Sequence, residues 1–357
     1  SNRENACLGR SDWLFSVTIE INQYQVNYSG TFNFFLSAEG ACMSINDEDT
    51  RLPEVEKVPL IIDVEFTEEE HIRSSTEELN PTTTQQTSKP LELPFPSPTP
   101  SGRARVVTVI NQKGGVGKTT TVINIASQIA LRGHRVLVVD ADSQGNCATG
   151  LGVDKSKVKH TTRDLILSPE TAVTARHATA VDGLHMIVGD RSLVGLEQEM
   201  LRQLGRERRL AEALQPLLPH YDIVIIDTPP SLGLVTINAL VASDGVLIPV
   251  QTEYFALEGL AMLAGTLREV RNLLNPQLGV DGVLLTMHAS TLLNQQVASE
   301  ILEHLPEFVV HPAIRRNIKL AEAPSHGVPI HLHDPNSNGG QDYQGVSDTL
   351  EKRWGLI

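Results

Sequence analysis

An α/β fold, with a mostly parallel twisted sheet covered by helices on both faces, is what residues 103–357 of this 357-residue chain predict. Short apolar runs alternate regularly with longer segments of helical periodicity. The runs are too continuously apolar to have one face in water, as strands buried under crossover helices require. A glycine-rich stretch joins the first run to the first helical segment. Strands are predicted at residues 106–110, 135–140, 184–189, 222–227, 245–250 and 279–287. Helices are predicted at residues 119–131, 193–204, 206–217, 234–242, 257–274 and 294–305. The first helix is marked by Val122, Ile123, Ala126, Ile129 and Ala130, spaced along one side.

Residues 1–102 are different in kind. They hold 6 Lys+Arg against 17 Asp+Glu, so most of the chain's net charge of −14 lies there and the rest is close to neutral. The acidic total is therefore no argument against a nucleic-acid partner. Within residues 17–36, alternating apolar residues and a turn signal at Ser29-Gly30 predict a small hairpin. Residues 65–102 combine an acidic cluster with Pro94, Pro96, Pro98 and Pro100, and predict a disordered linker, since such a stretch buries too little apolar surface to offset its ordering entropy. The expected organisation is an extension over 1–64, a linker over 65–102 and one domain over 103–357.

Lys113-Gly114-Gly115-Val116-Gly117-Lys118-Thr119-Thr120 follows the first strand and opens the first helix. Glycines let backbone N–H groups turn toward a polyphosphate, and the helix N-terminus adds partial positive charge. Lys118, just before a hydroxyl residue, is placed to reach terminal phosphates, and Thr119 to bind magnesium. The expected fold is thus P-loop NTPase-like, with Gln112 where the usual first glycine would stand and Lys113 as a second lysine. Two further strands end in acid. Val138-Val139-Asp140-Ala141-Asp142-Ser143-Gln144-Gly145-Asn146 can order water about a metal or orient an attacking water. Ile223-Val224-Ile225-Ile226-Asp227 can support magnesium. Ligands of such sheets sit at the carboxyl ends of strands, where all three motifs fall.

With Thr228-Pro229-Pro230-Ser231-Leu232-Gly233, Glu253-Tyr254-Phe255-Ala256-Leu257-Glu258-Gly259-Leu260 and the run from Arg316-Asn317-Ile318-Lys319 to Ser325-His326-Gly327, these motifs resemble the ParA-type partitioning ATPases of the ParA/MinD group. The last two stretches separate partitioning ATPases from the wider group. The resemblance implies ATP and Mg2+ as cofactors, Lys118 on the β- and γ-phosphates, Thr119 and Asp227 at the metal, and Asp142 positioning water. Lys113 would reach the partner subunit's nucleotide in an ATP-bound homodimer. It also implies slow hydrolysis stimulated by a ParB-type centromere-binding protein, nonspecific DNA binding by the dimer, and a cytoplasmic, nucleoid-associated protein without stable membrane association. Asp140 has a looser expected place, either behind the site or as a strand-end cap.

For DNA the chain departs from the family pattern. His288-Ala289-Ser290 stands where the family often has Asp-Ala-Arg, and Asn336-Ser337-Asn338-Gly339 where it has a basic Lys-Ser-Arg-Gly. Arg268, Arg271, Arg315, Arg316 and Lys319 remain as candidate DNA contacts, so binding weaker than the family's is expected. Two alternatives share the loop: a MinD-like membrane-cycling ATPase, which needs a C-terminal amphipathic helix that residues 349–357 supply poorly, and an ATP-dependent amide-forming enzyme. No apolar run approaches the roughly 18 residues of a membrane span. Cys7, Cys42 and Cys147 show no CxxC spacing, and His331 and His333, placed on one strand face, have no evident third ligand.

Overall fold

The computed structural model describes residues 102–357 in full and residues 14–21, 24–31, 33–37 and 40–44 by their backbone; the chain divides into two compact units, residues 1–85 and 86–357. In the first, β1 (Leu14–Ile21) pairs antiparallel with β2 (Tyr24–Thr31), and β3 (Asn33–Ser37) with β4 (Gly40–Ser44). The expected hairpin exists with its turn elsewhere. Ser29 and Gly30 lie inside β2, opposite Ser16 and Phe15, and the chain reverses between Ile21 and Tyr24. The long alternation sets the register, and two small residues do not interrupt it. Of the linker predicted over 65–102, all but Gly102 lies outside the described residues.

The second unit is organised by eight strands in the order β12-β11-β10-β5-β9-β6-β8-β7. They are β5 (Arg105–Val109), β6 (Val136–Asp140), β7 (His177–Ala178), β8 (Leu184–Ile187), β9 (Ile223–Asp227), β10 (Gly245–Gln251), β11 (Gly279–Thr286) and β12 (Val309–Val310). All neighbours pair parallel except β7, which runs antiparallel to β8. Both edge strands are two residues long.

Side chains alternate across the strands, which is why the interior strands read as unbroken apolar runs. Val107, Val109, Val136, Val138, Ile223 and Ile225 face α1 (Lys118–Leu131) and the C-terminal helices; Val106, Leu137, Val139, Val224 and Ile226 face the other way. That second face is covered by α3 (Thr162–Leu167), α4 (Leu196–Glu199), α5 (Arg209–Leu214) and α6 (Leu234–Ala242). Toward β10 and β11 it continues under α7 (Ala256–Leu273) and α8 (Leu292–His304). Between α1 and α3 lies the short α2 (Asn146–Gly150).

The helices predicted over 193–204 and 206–217 are shorter than expected. A 3-10 turn (Arg191–Gly195) precedes α4, another (Arg206–Arg208) precedes α5, and Gly205 at φ 68° breaks the run. Leu193, Leu196 and Met200 reach the core while Val194, Leu201 and Leu204 are exposed, so the apolar spacing has nothing to bury beyond one turn. His331 and His333 are not on a strand. They sit in α10 (Ile330–His333), a single turn started by Pro329 after α9 (Ile318–Glu322).

The chain's last helix, α11 (Asn338–Trp354), starts at Ser337, whose hydroxyl accepts from Gly340 N at 3.2 Å, and ends at Gly355, left-handed at φ 68°. Val346, Leu350 and Trp354 are buried against α1 and the sheet, so the apolar residues of the C-terminal segment belong to the core. Among the described residues no helix is long and apolar enough to cross a membrane. Trp354 Nε1 donates to Asp281 Oδ2 at 2.8 Å, and Arg105 Nη2 to Asp281 Oδ1 at 2.6 Å, all three buried. This ties the last helix to β5 and β11 by a buried polar cluster.

Trp354→Ala is expected to cost about 3–5 kcal/mol of unfolding free energy, combining lost ring burial with an uncovered Asp281. Trp354→Phe keeps the ring and is expected to cost about 1.5–3 kcal/mol, the share of a hydrogen bond to a charged acceptor. Urea denaturation of both variants checks the pair of values.

Candidate active site

The three motifs meet because their strands are neighbours. In register, Val109 lies beside Asp227 and Asp227 beside Asp140, so the chain leaves β5, β9 and β6 at one level of the sheet. The glycine loop between β5 and α1 is pinned at several points. Asn111 Nδ2 donates to Pro249 O at 2.7 Å, Lys113 N to Asn111 Oδ1 at 2.9 Å, and Thr286 Oγ1 to Val116 O at 2.8 Å. Gly115 at φ 75° and Gly117 at φ 90° adopt left-handed conformations that side chains rarely tolerate, and Gly117 turns the chain directly into α1. A Cβ at Gly114 would meet nothing within 4 Å, so that glycine answers to no packing demand of the protein itself.

Lys118 and Thr119, the first two residues of α1, point into the cluster. Lys118 is buried, and its Nζ donates to Lys113 O at 3.2 Å, curling over the loop. Thr119 Oγ1 donates to Asp227 Oδ2 at 2.7 Å. The Cys147 thiol donates to the same oxygen at 3.3 Å, while Asp227 Oδ1 is buried with no hydrogen-bond partner. Asp140 accepts Asp142 N at its Oδ1 and Cys147 N at its Oδ2, both at 3.1 Å. It caps the strand end and holds the backbone of the loop that carries Asp142. Asp142 is buried at the rim, with Oδ1 accepting Gln144 N at 2.9 Å.

Burial dominates the electrostatics. It pushes the Asp227 carboxyl up to about 6, against the hydrogen bonds from Thr119 and Cys147 that favour the anion. Burial, then the Asp227 charge, raises Asp140 well above the carboxylate range. The Cys147 thiol is raised for the same two reasons. Lys118 moves down by burial, which the charges of Asp227 and Asp142 oppose. Lys118 thus faces the charges of Asp227 and Asp142, with Asp140 buried beside Asp227, a field that a bound cation would ease. The unpartnered Asp227 Oδ1 beside the Thr119 hydroxyl is a hard-oxygen donor set of the kind Mg2+ takes. Thr119 and Asp227 are the residues that could hold it.

Lys113 leaves the loop on the other side, where its ammonium forms an ion pair with the Glu253 carboxylate, the two side chains 54% and 43% exposed. Residues 113–120, Asp142 and Asp227 are therefore brought together. The DNA candidates lie elsewhere and are not equivalent. Arg268 and Arg271 are on α7, where Arg268 Nε donates to Ala264 O at 3.2 Å. Arg315 is held by Asp342 through Nε at 3.0 Å and Nη2 at 2.7 Å, and Lys319 pairs with Glu322 at 2.8 Å, while Arg316 is exposed. Ser337, in the loop where the family is often basic, caps α11. The sequence did not mark Asn111, Thr286 or Glu253 as site residues, and Cys147 stood out only as a cysteine without CxxC spacing. Only Glu253 lay in a quoted motif, and nothing in its spacing tied it to Lys113.

A family model described as "AAA domain" matches residues 104–280. The sporulation initiation inhibitor protein Soj of Bacillus subtilis is 47% identical over 240 residues, covering 67% of this chain and 95% of that protein. The chromosome partitioning protein ParA of Caulobacter vibrioides is 43% identical over 242 residues, covering 67% and 91%. Among solved structures, cobyrinic acid a,c-diamide synthase from Mycobacterium smegmatis with a bound ATP analogue and magnesium is similar at a TM-score of 0.61 and 33% identity, covering 71% of this chain and 96% of that one.

Because Asp227 holds its proton more tightly in the folded state, stability falls as pH rises from the unfolded carboxylate value near 4 through about 6. Asp227→Asn is expected to stabilise the protein at pH 7–8 by on the order of 2–3 kcal/mol, with the gain shrinking toward pH 4. Urea midpoints of both proteins across this range check the prediction, and a gain that does not vary with pH contradicts it.

Proposed function

This chain belongs to the ParA/Soj family of partitioning ATPases, and we propose that its ATP-bound form is a homodimer that holds DNA nonspecifically and partitions a chromosome or plasmid with a ParB-type partner. The observation that carries this reading is the pair of lysines on one loop. Lys118 turns inward over the phosphate cradle, and Lys113 turns outward to the protein surface. A lysine that leaves its own cradle is placed to serve another subunit's nucleotide. Charge delivered in this way supports phosphoryl transfer much as an arginine finger does, which is worth on the order of 10³ to 10⁵ in rate where fully used.

In the proposed reaction the loop's backbone N–H groups and Lys118 bind the β- and γ-phosphates, and Asp142 orients the attacking water. Mg2+, held by Thr119 and Asp227, supplies charge neutralisation at the phosphates. Asp140 keeps the loop after β6 in place through two backbone N–H groups, so that Asp142 stays at the rim. On this reading the exposed Arg316 is the leading DNA contact, with Arg268 and Arg271 of α7 as further candidates. Arg315 and Lys319 contribute less, because Asp342 and Glu322 already hold them. The protein would act in the cytoplasm, at the nucleoid.

Two alternatives have less support. A membrane-cycling ATPase would expose an apolar C-terminal surface, yet Leu350 and Trp354 are core residues. An amide-forming enzyme has a 33% identical counterpart in the diamide synthase structure, against 47% for Soj, and has no need of the stretches at 253–260 and 316–327.

The decisive measurement is the mass of the protein in solution with ADP and with ATP. Wild type is expected to dimerise with ATP only, Asp142→Ala to accumulate the dimer, and Lys113→Ala to remain monomeric. A mass indifferent to nucleotide would overturn the proposal. For DNA, ATP-dependent binding at low salt is expected, and Arg316→Ala should reduce the slope of log affinity against log salt by about one unit.

A further inference from the structure

We infer that Glu253 is a positioning residue for Lys113, holding the lysine within its own subunit until the nucleotide of a second subunit takes its place. The Glu253 carboxylate offsets the Lys113 charge and draws the ammonium toward its own subunit, so this pairing competes with engagement of another subunit's phosphates. Glu253 matters in this way only if the ATP-dependent dimer proposed above exists.

Both ends of the pair are built in. Lys113 is tied through its N–H to Asn111 Oδ1 at 2.9 Å, and Asn111 in turn to Pro249 O at 2.7 Å, at the end of β10. Glu253 follows the same strand two residues on. Its N–H donates to Gln251 O at 2.8 Å, and its carbonyl accepts Ala256 N at 2.9 Å, in the first turn of α7. Thr252 between them is buried, and its carbonyl accepts Asn294 Nδ2 at 2.8 Å. The backbones that carry the two charges are thus fixed relative to each other by the end of β10. Only side-chain rotamers stay free to change.

The pair's exposure makes it reversible. Half-exposed ion pairs are weak and screened by salt, which suits a contact that must be given up. The loop adds a second coupling. Lys118 Nζ donates to the Lys113 carbonyl at 3.2 Å, so a polyphosphate competing for Lys118 removes one of the ties on Lys113 before a partner arrives. The same loop carries Tyr254 and Phe255, 76% and 68% exposed and packed edge to face at 5.1 Å, immediately before α7. A change at Glu253 is therefore one residue away from an aromatic pair at the surface and from the helix that carries Arg268 and Arg271.

The test is the protein concentration at half-dimerisation with saturating ATP, for the full chain, at low and at high salt. Glu253→Gln is expected to dimerise at roughly two- to thirty-fold lower concentration than wild type at low salt, the range set by two exposed ion pairs released per dimer. The difference should vanish near 0.5 M salt, where screening has removed the pair. Glu253→Asp, which keeps the charge, should stay nearer to wild type. ATP affinity of the monomer, read with a fluorescent analogue at dilute protein, should be unchanged. Equal or weaker dimerisation by Glu253→Gln would overturn the inference, as would a difference that ignores salt. Failure of the wild type itself to dimerise with ATP would remove the dimer and the role of Glu253 with it.

Discussion

Two carboxyl groups, Asp140 and Asp227, lie side by side at the ends of adjacent strands with no exposed surface, and the rest of the site is arranged around that constraint. A carboxylate without water must be met by hydrogen bonds, a cation or a proton. Asp140 is met by backbone N–H groups, which fixes the path of the loop that carries Asp142. Asp227 is met on one oxygen by Thr119 and Cys147, which fixes the first turn of α1. The other oxygen has no partner, and that unsettled group makes the place receptive to a hard cation. The same burial moves Lys118 and the carboxyl groups toward each other in proton affinity. Loop path and helix entry thus follow from where two acids sit.

Much of this could be seen in the sequence, and the parts that could not share a physical cause. The six interior strands were legible because burial on both faces leaves them mostly apolar. The cradle was legible because left-handed Gly115 and Gly117, with a lysine and a hydroxyl after them, leave few other uses. Segments stabilised by tertiary contact were less so. The stretch over 193–217 has helical spacing but only enough core for single turns, and α10 exists because Pro329 and buried Ile330 place it. The turn of the N-terminal hairpin went to the residues that alternation selected, past a Ser-Gly pair that composition favours.

Pairings between distant charges were the least legible. Arg315 read as a free surface cation, yet Asp342, 27 positions later, occupies its guanidinium. The Lys113–Glu253 pair joins residues 140 positions apart. Neither spacing is periodic, because one pair joins the segment after β12 to α11 and the other joins the loop after β5 to the loop after β10. A count of positive residues therefore overstates the field available to a polyanion. Fewer positive groups are open than the five candidate cations suggest, because Asp342 and Glu322 hold Arg315 and Lys319.

The sheet's borders carry a different consequence. Both edge strands, β7 and β12, are two residues long, and β7 runs against its neighbour. A sheet with such short margins offers almost no unpaired backbone ladder to another copy. A protein that gathers densely on a shared scaffold and must find copies of itself there risks open-ended stacking through its strands. Here that route is narrow, because each margin presents a strand of only two residues.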